Sequence, residues 1–241
     1  MIFYKSFAGP IKALSFDLDD TLYDNVPVIA RAELLFSQYL YEKYCLKKEA
    51  SDPAFWSAVR RELVRADSRY DSDMTLWRTH SIMHGLKKLN IKISEAEAHQ
   101  EALHFIRIRS EIAVPQSSFD LLSDLRKSYP IAAVSNGNSD LKQDGLDSYF
   151  DYDLRASFDG PRCKPNPDLF LLSAKKLGVK PCELLHIGDD PLTDIQGAVL
   201  AGVNACWLVK GIAGKNAGFE ALSCLPHVAI AELSELRTLL L

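Results

Sequence analysis

Short apolar runs that break off into polar loops recur along this chain, and each is followed by apolar residues at helical spacing. Residues 11–16 lead into Asp17-Leu18-Asp19-Asp20, residues 131–134 into Ser135-Asn136-Gly137-Asn138, and residues 184–187 into Gly188-Asp189-Asp190. An unbroken apolar run of this length suits a strand buried on both faces, and the alternation with helices suits a parallel sheet covered on both sides. The same pattern predicts strands near 152–156, 203–209 and 228–230, with a closing helix over 233–241.

Between the first two strands the texture changes. From about residue 26 to residue 112 the chain shows helix formers and charges at helical spacing, with almost no β-branched alternation. Four helices are expected there, with breaks near 51–53, 71–73 and 90–94. The fold expected is therefore α/β: a Rossmann-like core of residues 1–24 and 113–241, and an inserted all-helical domain of residues 25–112, large enough to have its own small core and act as a lid. The glycine-rich stretch 211–218 reads as a mobile surface loop at the sheet edge.

In open parallel sheets ligands bind beyond the carboxyl ends of the strands, where all three polar clusters fall. Distant segments would thereby bring Asp17, Asp19, Ser135, Asn136, Asp189, Asp190 and Asp194 to one pocket. Asp17 and Asp19 stand two apart, so on an extended backbone they project to the same side. Such carboxylates would repel a phosphate unless a cation offset them. The Gly-Asp-x-x-x-x-Asp run of Asp189 and Asp194 suits a hard ion such as Mg²⁺, held by one or two carboxylates, waters and the substrate's phosphate. Lys164, beside Pro165 and before a predicted helix, would bind the phosphate, and Ser135 with the amides around Asn136 and Gly137 would donate to its oxygens.

Composition narrows the partners. A net charge of −4 provides no general positive field for nucleic acid. The five cysteines are scattered without CxxC spacing, which indicates free thiols in a reducing cytoplasm. Residues 1–10 lack a signal-peptide pattern, and no stretch approaches the roughly 20 apolar residues of a membrane span. The expectation is a cytoplasmic monomer or homodimer acting on a small phosphorylated metabolite, with neither nucleic acid nor membrane as partner.

Asp17-Leu18-Asp19-Asp20-Thr21-Leu22, Val134-Ser135-Asn136-Gly137, Lys164-Pro165 and Gly188-Asp189-Asp190 with Asp194 occur in the order found in the haloacid dehalogenase superfamily of phosphohydrolases, which the chain resembles over nearly its whole length. The resemblance implies Mg²⁺-dependent hydrolysis of phosphate monoesters through an aspartyl-phosphate. Asp17 would be the nucleophile, and Asp19 the acid that protonates the leaving alcohol and then the base that activates water. The metal would be held by the Asp17 carboxylate, the Asp19 carbonyl and Asp189, with Asp190 or Asp194 supporting its waters. Asp19 also sets the chain apart from the dehalogenases that name the family, which lack this second aspartate and need no metal.

The insert, lying between the first two motifs, resembles the family's first cap class; only 28 residues separate Ser135 from Lys164, too few for the other large cap. Tyr23, Asp24, Asn25, Tyr70, Trp77 and Arg78 are the candidates for its substrate-facing side, an aromatic stacking on a heterocycle and Arg78 binding an anion. A closer likeness, in 20–25, 135–138, 185–190, 205–207 and 225–227, is to the bacterial phosphatases that act on the ribitylamino-pyrimidine phosphate of riboflavin synthesis and on flavin mononucleotide.

Plainer roles compete at several positions. Thr21, Asp190 and Thr193 read equally as helix caps, Trp77 and Tyr70 as packing within the insert, His186 as a core residue, and Arg60, Arg61 and Arg65 as a solvated face. Two rival activities remain: a sugar phosphomutase on the same fold, and a phospho-accepting signalling receiver, which is about half this length and has no cap.

Overall fold

The computed structural model describes residues 1–212, 214 and 223–241, so most of the 211–218 loop lies outside the described residues. The described strands are β1 (Ile2–Phe3), β2 (Ala13–Phe16), β3 (Ile131–Ser135), β4 (Tyr152–Arg155), β5 (Leu184–Gly188), β6 (Asn204–Leu208) and β7 (Val228–Ile230). They form one sheet in the order β1-β7-β6-β5-β2-β3-β4. Every pairing is parallel except β1 on β7. The sequence pattern did not predict β1, a two-residue edge strand whose side chains are exposed and carry no burial signal.

Strand alternation supplies both layers. Leu14, Phe16, Ile131, Ala133, Leu185, Ile187, Cys206 and Leu208 face one side and pack on α5 (Gln116–Leu125) and α8 (Glu235–Leu240). Ala13, Leu184, Ala205 and Trp207 face the other and meet α6 (Asp168–Lys176) and α7 (Gly197–Leu200) through Phe170, Ala174 and Ala198. The fold is thus α/β with helices on both faces of a Rossmann-like sheet.

The insert carries α1 (Asn25–Lys43), α2 (Pro53–Ala66), α3 (Met74–Lys88) and α4 (Glu95–Arg109). The sequence breaks are where side chains cap these helices: Asp52 accepts from Ala54 N, Asp73 from Leu76 N, and Ser94 with Glu97 closes a capping box. Phe36, Leu40, Trp56, Ile82, Leu86 and Phe105 form an apolar cluster distinct from those of the sheet. Gly85 is required inside it, because a Cβ there would lie 2.5 Å from the Trp56 ring.

Candidate active site

Strands β5, β2 and β3 are neighbours, so the loops leaving their carboxyl ends converge. Asp17 follows β2, its backbone N–H bonded to Ile187 O at 2.9 Å. Lys164 is buried, and its Nζ donates to Asp17 Oδ1 and Asp194 Oδ1, each at 2.6 Å. Asn136 fixes the lysine's backbone from both sides: its Nδ2 donates to Lys164 O at 2.9 Å and its Oδ1 accepts from Lys164 N at 2.8 Å. The Asn136 side chain is therefore occupied in positioning Lys164. Ser135 Oγ accepts from Gly137 N at 3.0 Å, which closes the turn after β3.

Asp194 has partners on both oxygens. Oδ1 takes Lys164 and His186 Nε2 (3.1 Å), and Oδ2 takes Asp190 N (3.1 Å). Burial works against its charge, yet Lys164 and His186 hold its carboxyl well below the usual range. An ionised carboxylate only accepts, so His186 carries its proton on Nε2 and accepts from Ser15 Oγ at Nδ1 (3.0 Å). Burial keeps this imidazole neutral, in keeping with a core role. Gly188 leaves room for the arrangement, since a Cβ there would run into the Asp194 carboxylate.

Ligand oxygens of Asp17, Asp189 and Asp194 all lie within 4.8 Å of one another. Burial, together with Asp194 and Asp19, pushes Asp17 well above the usual range against the pull of Lys164. Burial and Asp194 likewise push Asp189 up to about 7, although Thr21 Oγ1 donates to its Oδ1 at 3.0 Å. Three clustered carboxylates, two of them bound by the Lys164 ammonium, crowd negative charge in a buried place, an environment that fits a divalent cation with oxygen ligands. Asp190 instead caps the following turn, accepting from Leu192 N and Thr193 N, and Thr193 is no cap. Nor is Thr21: Asp24 caps α1, accepting from Val26 N, and lies exposed rather than facing a substrate.

Asp19 turns toward the insert. Arg109, the last residue of α4, donates from Nη2 to both its oxygens (2.8 and 2.5 Å), and Tyr23 Oη donates to Oδ1 at 2.7 Å. Tyr23 is fully buried and packs in the sheet's core, so it orients Asp19 rather than facing a substrate. Gly137 lies opposite, with a Cβ position 2.5 Å from Asp19 Oδ2 and 3.0 Å from Arg109 Nη2.

A cavity of about 360 Å³ opens beside Asp19, lined also by Asn25, Trp77, Arg78, Arg60 and Glu33. Of the expected substrate residues, Asn25, Trp77 and Arg78 line it. Tyr70 does not: its hydroxyl bonds His80 Nδ1 at 2.6 Å and its ring packs on Phe158. Arg60 is no solvated residue, being buried 3.0 Å from Glu33 Oε1, to which Arg78 also donates at 2.7 Å.

Sequence reasoning missed Arg109, Glu33 and the buried state of Arg60. A signal was present, because each stands on its helix's apolar stripe: Arg109 four residues after Phe105, Arg60 four after Trp56, and Glu33 three before Phe36. A charge on such a stripe is buried and needs a partner.

Comparison with known proteins agrees with this geometry. The haloacid dehalogenase-like hydrolase family matches residues 11–202. The 5-amino-6-(5-phospho-D-ribitylamino)uracil phosphatase YigB of Escherichia coli is 36% identical, with 100% of each chain covered. Among solved structures, a 2-haloacid dehalogenase from Pseudomonas syringae pv. tomato superimposes with a TM-score of 0.80 at 29% identity, covering 95% of this chain and 98% of that one. A HAD phosphatase from Thermococcus onnurineus gives 0.64 at 26% identity, with the same coverage. The chain belongs to the haloacid dehalogenase-like hydrolases and is an enzyme of the phosphatase kind found among its relatives.

Proposed function

We propose that the protein hydrolyses phosphate monoesters of small metabolites with Mg²⁺, through an aspartyl-phosphate on Asp17, and that its substrate is the ribitylamino-pyrimidine phosphate of riboflavin synthesis or flavin mononucleotide. Lys164 held between Asp17 and Asp194, with Asp189 in the same cluster, is the observation that carries this reading. The likeness to YigB supports the substrate.

In this reading residues 1–24 and 113–241 are the catalytic core and residues 25–112 the cap. An Asp17 oxygen attacks phosphorus as the ester P–O bond breaks, and Asp19 gives its proton to the leaving alkoxide. Asp19 then takes a proton from water, whose oxygen attacks phosphorus, and phosphate departs as the Asp17 carboxylate is restored. Lys164 offsets charge on the phosphoryl oxygens, Ser135 and the amide of Asn136 donate to them, Gly137 N–H orients the Ser135 hydroxyl, and His186 and Asp194 keep Lys164 in place. Mg²⁺, when held by Asp17, Asp189 and the Asp19 carbonyl with Asp194 and Asp190 behind them, supplies further neutralisation of the phosphoryl charge.

The test is inorganic phosphate release from a panel of phosphorylated metabolites, flavin mononucleotide included, with Mg²⁺ and with a chelator. Metal-dependent release without a bisphosphate activator is expected; transfer to a sugar in its place identifies a mutase. Likeness to a 2-haloacid dehalogenase favours a second reading, halide release from a 2-haloacid. Asp19 and the carboxylate cluster argue against it, and metal-independent halide release without phosphatase activity would establish it.

A further inference from the structure

The cavity beside Asp19 holds a charge arrangement that packing of the insert does not require. Helices α1, α2 and α3 each bring one residue, Glu33, Arg60 and Arg78, to a single point in its wall. An apolar trio of similar volume would pack three helices at no electrostatic cost, since the desolvation of buried ion pairs rivals their attraction. Both arginines meet Glu33 at Oε1, so Oε2 is not the oxygen that binds either of them. Each guanidinium has five N–H donors, more than are engaged by its bond to Glu33 and, for Arg60, by the bond from Nη2 to Ser57 Oγ at 3.1 Å. The wall therefore offers donors from two guanidiniums beside one carboxylate acceptor.

Nearby groups extend the cluster into a site. Trp77 lines the same cavity with its indole fixed by Nε1 donating to Arg60 O at 2.9 Å, and so offers a flat apolar face. Arg109 Nη1 and Asn25 Oδ1 are buried without partners, and both residues line the cavity. Asp19, which in the reading above protonates the leaving oxygen, lies at the cavity's edge, so the space beyond it belongs to the alcohol half of the ester.

We infer that the Arg60–Glu33–Arg78 cluster recognises the imide edge of a pyrimidinedione-type ring on the leaving alcohol, its two carbonyls meeting guanidinium donors and its N–H the carboxylate acceptor. The inference rests on the phosphomonoesterase reading and deepens it. A carboxylate-bearing alcohol is the rival occupant, since two guanidiniums against one carboxylate leave the cluster net positive, and O-phosphoserine tests it. Trp77 stacks on the ring, and Asn25 and Arg109 face the chain that joins ring to phosphate.

The experiment compares kcat/KM of the full chain, with Mg²⁺, on flavin mononucleotide, on its N3-methyl derivative, which lacks the imide N–H, and on O-phosphoserine. Methylation should lower kcat/KM by about 10- to 100-fold, the cost of one buried polar partner left unpaired. It should matter less than about threefold in Glu33→Ala, which has no acceptor left to lose. Because the methyl comparison is made on the wild-type protein, a variant that fails to fold does not weaken the test. Equal rates on the two flavins, or a preference for O-phosphoserine, overturn the inference while leaving the phosphatase intact. No metal-dependent phosphate release from any ester overturns both.

Discussion

Replacing Gly137 by alanine, with and without the Asp19 carboxyl, tests the placement of Asp19. The new methyl carbon would lie 2.5 Å from Asp19 Oδ2, where ordinary contact begins at 3.4 Å, so the carboxylate must retreat by about 0.9 Å. Arg109 Nη2, 3.0 Å from the same point, resists that retreat because it grips both carboxylate oxygens. Gly137 is not among the residues with positive φ, so alanine adds no backbone strain, and what remains is the crowding itself, which should cost about 1–3 kcal/mol of stability. A displacement near 1 Å of a group that transfers a proton costs about 100-fold in kcat. The assay is steady-state phosphate release beside a thermal melt, repeated in an Asp19→Asn background. There Gly137→Ala should cost less than about threefold, since the acid it displaces is already absent. A variant that retains kcat within twofold, or a loss of equal size in both backgrounds, would refute the placement of Asp19 argued here.

Three further outcomes follow from the site. Asp17→Asn should abolish phosphate release while the melting temperature stays within a few degrees of wild type, because the amide cannot attack phosphorus; phosphate release at the wild-type rate rejects Asp17 as nucleophile. Asp189→Ala should shift the Mg²⁺ activation curve to higher concentration by about tenfold or more, the usual cost of losing a carboxylate ligand or its support, and overlapping titrations show that Asp189 holds no metal. His227 supplies a pH test independent of the site: burial pushes its imidazole down to about 4, and its Nδ1 accepts from Ala205 N. The folded state thus binds fewer protons than the unfolded chain between about pH 6.5 and 4. The contribution of His227 is complete above pH 6.5 and declines as the pH falls through that window, by at most about 3 kcal/mol. Thermal melts of wild type and His227→Gln from pH 7 to 4 should converge on the acid side; parallel curves exclude the effect.

The core strands were legible because a strand buried on both faces must be apolar throughout, and its sharp polar end marks where the chain leaves the sheet. The insert's helices were legible through their caps, as Asp52, Asp73 and Ser94 mark the breaks that periodicity alone blurs. What sequence could not supply was partnership across elements. Periodicity assigns Arg60 and Arg78 to helix faces but does not say that α1 brings Glu33 between them. Tyr23 belongs to the acidic loop by position, yet its ring enters the sheet's core while only its hydroxyl reaches Asp19. Asn136 likewise sits in a motif, and its bond to the backbone of Lys164, 28 positions away, appears only in three dimensions.

The two crossings of the chain between sheet and insert are both fastened to one carboxylate, through Tyr23 on the way out and Arg109 on the way back. The residues between these two seams supply neither of the side chains that hold Asp19. Under the proposed function, a lineage built on this frame would change what it accepts by rewriting one continuous stretch of its gene, provided that a tyrosine and an arginine survive at the two seams.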